Sequence, residues 1–229
     1  MITIHVILFY IKDLSNVDVY LKKNSGDIDI QIKYYLNNKV DFKNKDFFDY
    51  QYYDDKNSLD FDAFNSIIFS NEDKVSLVMN DTFFTKHKLD YTFKEMLSRC
   101  QFLYENEISK PILIGPYSSC NYRSPLIQND FVVSYMFAFN DKFSKIYKYE
   151  LMTNTEYPKR YSTLISIYKY YIDKNITYNN VGAKCNAVIF ERLLSEVAFN
   201  NGIIWYLHFR LIDKFKYHFL RILNKYRKI

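Results

Sequence analysis

The chain has 229 residues, 48% of them apolar and 25% charged, enough to bury a core as one domain or two closely joined ones. With only four glycines and four prolines, collagen-like repeats, flexible linkers and proline-rich docking segments are excluded. A net charge of +5 is too mild to announce a nucleic-acid binder, and it is unevenly spread: Arg210, Lys214, Lys216, Arg221, Lys225, Arg227 and Lys228 face a single Asp213 between Trp205 and Ile229, so the positive charge belongs to the tail. Cys100, Cys120 and Cys185 are widely spaced, which predicts a reducing compartment and no zinc site.

In chain order, the Ile- and Val-rich run from Ile2 to Ile11 predicts a strand covered on both faces, and with no basic leader it reads as a first strand and not a signal peptide. Ile28 to Tyr34 alternates apolar and polar residues and predicts a second strand with one wet face. Leu36 to Asp55 shows neither period and stays unassigned. Val75 to Met79 and Pro111 to Ile114 are short bounded apolar runs that suit interior strands, and Tyr91 to Glu105 between them has helical spacing. That strand, helix, strand unit predicts a parallel sheet. Phe131 to Phe139 reads as one further strand, and Leu164 to Tyr171, Asn186 to Asn200 (stopped by Gly202) and Ile204 to Tyr226 read as helices. The expected fold is thus α/β, a mainly parallel central sheet flanked by helices, with a helical C-terminal third. No run is long and apolar enough to predict a membrane span.

Ligands of open α/β sheets sit beyond the carboxyl ends of the strands. After Met79 stands Asn80-Asp81-Thr82, where Asp81 either ligates a hard cation, hydrogen-bonds a sugar, or opens a turn that caps the next helix. After Ile114 stands Gly115-Pro116, where the glycine either lets a ligand approach the backbone or marks a turn. Asp60-Phe61-Asp62 is an acidic pair able to bridge a divalent cation to a diphosphate, or to cap a helix. Hydrolase elbows, phosphate loops, dinucleotide fingerprints and paired histidines are all absent from the sequence.

Asn57-Ser-Leu-Asp60-Phe-Asp-Ala63-Phe64, Asn80-Asp81-Thr82, Gly115-Pro116, Ser134-Tyr135-Met-Phe137, and Glu191-Arg-Leu-Leu-Ser195 followed by Gly202, in this order, resemble the motifs of bacterial polysaccharide-assembly glycosyltransferases with a GT-A-like fold. The resemblance covers roughly residues 55 to 205. It departs at Ser58 and Asp62, where the family has glycines, and at Ile203, where it has an aromatic. It implies a single GT-A-like domain over residues 1–204 that transfers a sugar from a nucleotide-diphospho-sugar to a glycan or lipid-linked acceptor in capsule, O-antigen or lipooligosaccharide assembly. It also implies donor contacts from Asp60, Asn80, Asp81, Thr82, Gly115, Ser134 and Tyr135, with Asp81 as ligand if Mn2+ or Mg2+ takes part. Glu191 is the implied general base and Asp130 the reserve. A different class, a non-catalytic sugar- or lipid-binding relative, is the alternative, because the first motif is eroded.

From residue 205 to 229 apolar residues recur at steps of three and four, with Lys214, Lys216, Arg221, Lys225, Arg227 and Lys228 at other angles. This predicts a basic amphipathic helix. It either lies on an anionic membrane, placing a cytoplasmic enzyme at the inner face of the cell membrane, or packs on the domain. No nucleic-acid partner is expected.

Overall fold

The computed structural model describes residues 1–53, 61–86, 90–119, 130–153 and 181–207. Eight strands form one mixed sheet: β1 (Ile2–Leu8), β2 (Ile30–Asn37), β3 (Tyr50–Tyr53), β4 (Val75–Asn80), β5 (Ile112–Ser119), β6 (Asp130–Val132), β7 (Met136–Asn140) and β8 (Ile203–Leu207). The helices are α1 (Leu14–Ser25), α2 (Phe61–Ser70), α3 (Asp81–Lys86), α4 (Asp90–Asn106), α5 (Asp141–Thr153) and α6 (Val181–Asn201). The strand order is β3-β2-β1-β4-β7-β5-β6, with β8 on β5. Six strands share one direction; β7 runs against β4 and β5, and β6 against β5. The expected α/β sheet, largely parallel and flanked by helices, is therefore present.

Every residue of β1, β4 and β7 is buried, as uninterrupted apolar runs require when both faces are covered. On one face, Leu14, Val17 and Leu21 of α1 and Phe93, Met96 and Leu97 of α4 pack with Ile4, Val6 and Leu77. On the other, Ile67 and Ile68 of α2, Phe143 and Tyr147 of α5, and Leu193 and Leu194 of α6 pack with Ile7, Val78, Phe137 and Phe139. Phe64 stacks on Phe190 at 5.6 Å, one of several buried aromatic pairs, each ring worth about 1.5–3 kcal/mol for leaving water.

Four expectations need correction. β4 and β5 do run the same way, but β7 lies between them, so they are not neighbours. Phe131 to Phe139 is not one strand: Val133, Ser134 and Tyr135 break it into β6 and β7. Residues Ile203–Leu207 are a strand and not the start of a helix, because the run Ile-Ile-Trp-Tyr-Leu pairs residue by residue with β5, Ile203 on Ile112 through Leu207 on Pro116. A boundary after residue 204 would cut this strand, and the C-terminal third is not wholly helical. The second strand also begins later and runs further than expected, from Ile30 to Asn37: Ile30 to Lys33 stay partly exposed, while its last four residues, Tyr34 to Asn37, are all buried. Residues 164–171 and 208–229 lie outside the described residues.

A polar cluster crosses the middle of the sheet. Ser76 Oγ donates to Asn71 Oδ1 at 2.6 Å, so the His5 Nε2–H donates to Ser76 Oγ at 3.3 Å and Nδ1 accepts from the Tyr35 hydroxyl at 3.0 Å. The ring is thereby satisfied in its neutral form, and burial pushes its pKa below 6.5. Ser76 and Asp73, 3.6 Å away, approach the same nitrogen, so the group is no hydrolytic triad, which needs them on opposite nitrogens. Asp73 is held down at about 2, chiefly by the His5 ring and then by Lys33, and acts in a lower pH window.

The buried ring makes stability depend on pH. Since unfolded chains take up a proton at His5 that the native ring resists, stability falls as pH drops below 6.5, and His5→Asn abolishes that part of the dependence in urea melts at pH 7.5 and 5.5. A Cβ on Gly202 would meet the Pro111 carbonyl oxygen at 2.2 Å, where β8 begins with the Ile203 N–H on that same oxygen. Gly202→Ala therefore costs about 1–3 kcal/mol by the same melts.

Candidate functional site

The chain order creates a switch point. From β1 the connection through α1 leads outward to β2 and β3, and then α2 carries the chain back to β4 on the other flank of β1. The chain thus leaves the adjacent carboxyl ends of β1 and β4 toward opposite edges of the sheet, to β2 and to β5, while α1 and α4 pack on one face; such a switch point is where open α/β sheets take their ligands. Because β7 is antiparallel, its first residue Met136 pairs with Met79, which brings Ser134 and Tyr135 to the same rim. The β5–β6 pairing, Ser119 with Asp130 and Tyr117 with Val132, extends beyond it.

Asp81 is 2% exposed, and its carboxylate accepts the backbone N–H groups of Phe9, Tyr10 at 2.8 Å and Ile11 at 3.1 Å. Three consecutive amides converging on one anion form a nest, filled here by the chain's own side chain. Burial pushes the carboxyl pKa up, and the three donors oppose that shift. Asn80 Oδ1 accepts the Thr82 N–H at 3.0 Å and caps α3, the plainer of the uses the sequence offered for this turn. The Asn80 N–H donates to the Tyr135 carbonyl at 3.2 Å, tying β4 to the break between β6 and β7.

That break is held from α6. Ser134 donates both its N–H, at 2.8 Å, and its hydroxyl, at 2.6 Å, to Glu191 Oε1. One helical turn on, Ser195 Oγ accepts the Val132 N–H at 2.9 Å. Glu191 and Ser195, the two matching positions of the last motif, therefore serve backbone amides that a continuous strand would have used. Gly115 is needed for the same elbow: a Cβ there would stand 2.1 Å from Val132 Cγ1, so the glycine admits a packed side chain.

The structure brings Asn80, Asp81, Thr82, Ser134, Tyr135 and Glu191 to one rim. Asp81 and Glu191 reach it from opposite faces, through α3 and α6 respectively, with the 133–135 elbow between them. Both of Asp81's oxygens are engaged, so it does not fit the metal ligand expected of it. Among the described residues no three His, Cys, Asp or Glu side chains are grouped to hold a metal ion. Asp60 and residues Lys214 to Lys228 lie outside the described residues, and Asp130 is described only as the first residue of β6. An open cleft of about 410 Å3, lined by Lys74, Glu107, Asn140 and Asp141 among others, lies at the opposite rim, away from these motifs.

Sequence reasoning missed the loop beyond β1. Tyr10 is 72% exposed there, and the Lys43 N–H donates to the Lys12 carbonyl at 2.8 Å, which sets two exposed lysines on adjoining backbone. Phe9, Tyr10 and Ile11 lie within the run Ile2 to Ile11 that reads as one strand, whereas β1 ends at Leu8, so the apolar pattern alone did not mark the loop.

Asp81→Ala leaves three N–H groups without their anion and costs about 3 kcal/mol, the upper part of the range for hydrogen bonds to charged groups, by urea melts. Glu191→Ala, which frees two donors of one residue, costs about 2 kcal/mol in the same assay.

No protein-family model and no curated protein matches the chain. Among solved structures, it is similar to HddC from Yersinia pseudotuberculosis at 10% identity and a TM-score of 0.31, over 62% of this chain and 78% of that one. A likeness this distant carries no argument about function.

Proposed function

We propose that the protein is a GT-A-like glycosyltransferase that takes its sugar from a nucleotide-diphospho-sugar and delivers it to a glycan or lipid-linked acceptor of a bacterial surface polysaccharide. The observation that carries this reading is the switch point between β1 and β4, at which the Asn80-Asp81-Thr82 and Ser134-Tyr135 motifs share one rim. The ordered match of sequence motifs gives it chemistry. Lys12 and Lys43 beside the crevice supply positive charge for a departing diphosphate.

In this reading an acceptor hydroxyl attacks the anomeric carbon, the bond to the diphosphate breaks, the nucleoside diphosphate leaves with the electron pair, and a carboxylate takes the hydroxyl proton. Glu191 is occupied with Ser134, which favours Asp130, at the outer end of β6, as the base. Asp81 and Glu191 then shape the crevice without touching the reacting atoms. The engagement of both carboxylates also favours a second reading, a non-catalytic sugar- or lipid-binding relative. Attachment to an anionic membrane through Lys214, Lys216, Arg221, Lys225, Arg227 and Lys228 belongs to the same proposal; among the described residues no helix is long and apolar enough to cross a membrane.

Nucleotide sugars at about 100 times their dissociation constant stabilise the fold by about 2.7 kcal/mol in thermal shift, and the matching nucleoside diphosphate is released once an acceptor is supplied. Asp130→Asn keeps the shift and lowers turnover by about a hundredfold to ten-thousandfold. A shift with no release supports the binding relative, and the absence of any shift across uridine, guanosine, cytidine and thymidine nucleotide sugars ends both readings in their nucleotide form.

A further inference from the structure

We propose that the outer edge of β3 pairs antiparallel with the same edge of a second copy of this chain, about a two-fold axis through Gln51. β3 is the last strand of the order, and among the described residues only β2 pairs with it. The carbonyls of Asp49 and Tyr53 accept the N–H groups of Tyr34, at 2.9 Å, and Asn38, at 3.1 Å, so these two residues turn their backbone toward β2. Backbone groups alternate in direction along a strand, and the N–H and C=O of Tyr50 and Tyr52 therefore face outward. Such a row is a template for another strand. Natural edges are blunted with lysine or proline, whereas Tyr50-Gln51-Tyr52-Tyr53 contains neither. Lys45 reaches this face, but it donates to the Tyr52 hydroxyl at 2.8 Å and lies 5.5 Å from the ring centre, at the end of the side chain remote from the backbone edge.

The edge is complementary to itself. Its outward segment, Tyr50-Gln51-Tyr52, reads the same in both directions, as an isologous contact requires. Antiparallel pairing makes Tyr50 of each copy a hydrogen-bonded partner of Tyr52 in the other, with the two Gln51 residues directly opposite each other between these pairs. Opposed residues share a face, so each Tyr50 ring meets a Tyr52 ring, extending the edge-to-face contact of 5.4 Å and 79° that the two make within one chain. The charges leading into the strand, Asp41, Lys43, Lys45, Asp46 and Asp49, are of both signs, so two copies are spared the repulsion of a single-sign edge. Tyr52 is 48% exposed and Phe47, just before the strand, 83% exposed, which leaves apolar area for a partner to cover. Because β3 is short, the contact falls below the size of stable dimers, and its dissociation constant lies at about 10–100 µM.

The test follows the full chain by sedimentation velocity across that concentration range, in which the native protein passes from monomer to dimer. Gln51 is exposed; Gln51→Lys and Gln51→Glu each set like charges against each other on the axis and raise the dissociation constant by about two- to fivefold, while an equimolar mixture of the two variants pairs at least as tightly as the native protein. Tyr52→Pro removes an outward N–H and no bond to β2, and it abolishes the dimer. Gln51→Cys, mildly oxidised, links its two copies through position 51, identified by mass spectrometry of the joined peptides, since residues opposed without hydrogen bonds stand about 4.5 Å apart at Cα. Monomer at every concentration overturns the pairing. A dimer that neither Tyr52→Pro nor the charged variants weaken lies elsewhere on the molecule and overturns it as well. If Tyr52→Pro fails to fold, the mixed charged variants decide, and a mixture that does not recover native affinity overturns the two-fold contact.

Discussion

Phe9, Tyr10 and Ile11 leave the end of β1 with three amide hydrogens and no strand to receive them, and one buried carboxylate takes all three. Much of the rim depends on that arrangement. It fixes the path from β1 to α1, which Asp13 then caps through the Ser15 N–H at 3.0 Å, and it brings α3 against the end of the central strand. An unpaired buried amide is costly and a buried carboxylate more so, but each removes the other's penalty. The exchange holds only while both are present, which is why an acidic residue sits where the core would otherwise be apolar.

The break between β6 and β7 obeys the same rule. A strand that bends away from its neighbour releases amides, and Glu191 and Ser195, a turn apart on α6, collect those of Ser134 and Val132. Gly115 lets the bend lie close to β5. Two helices on opposite faces of the sheet, α3 and α6, thus meet through the backbone of one elbow, because Asn80 next to Asp81 bonds Tyr135 while Ser134 bonds Glu191. The motif residues are consequently parts of one hydrogen-bonded frame.

Much of the fold was legible where burial alone decides. Val75–Asn80, the first part of Ile112–Ser119 and Asp90–Asn106 announced themselves because an apolar run or a helical stripe has one stable use in a two-sided sheet, whereas Gly115 and Pro116, which read as the end of a strand, lie inside β5. Legibility failed where a neighbour arbitrates. Trp205, Tyr206 and Leu207 fit either period, and the strand won because β5 offers a free edge at matching register. Val133 to Tyr135 carry strand-forming residues, and only the side chain of Glu191, 57 positions beyond Ser134, makes the break stable. For the site, the sequence marked the right rim but not the use of each acid. Asp81 and Glu191 have the composition of ligands, and nothing in a one-dimensional pattern distinguishes a carboxylate aimed at a sugar from one aimed at a peptide bond. Tyr10 escaped notice because aromatic residues are abundant in this chain, 43 being Tyr or Phe (23 plus 20), so one more carried no signal until its exposure was known.

The direction of β8 governs where the terminal segment leaves the sheet. Pairing in parallel with β5, it starts near Pro111 and finishes with Leu207 beside Pro116, at the carboxyl-end rim of the sheet. The chain therefore passes Leu207 at the rim that carries Asp81 and Ser134, and not at the opposite rim with Lys74 and Glu107. If the proposed membrane attachment holds, a basic terminus that adhered to a surface would turn this rim toward it, so that anchoring and acceptor delivery would share a single geometry.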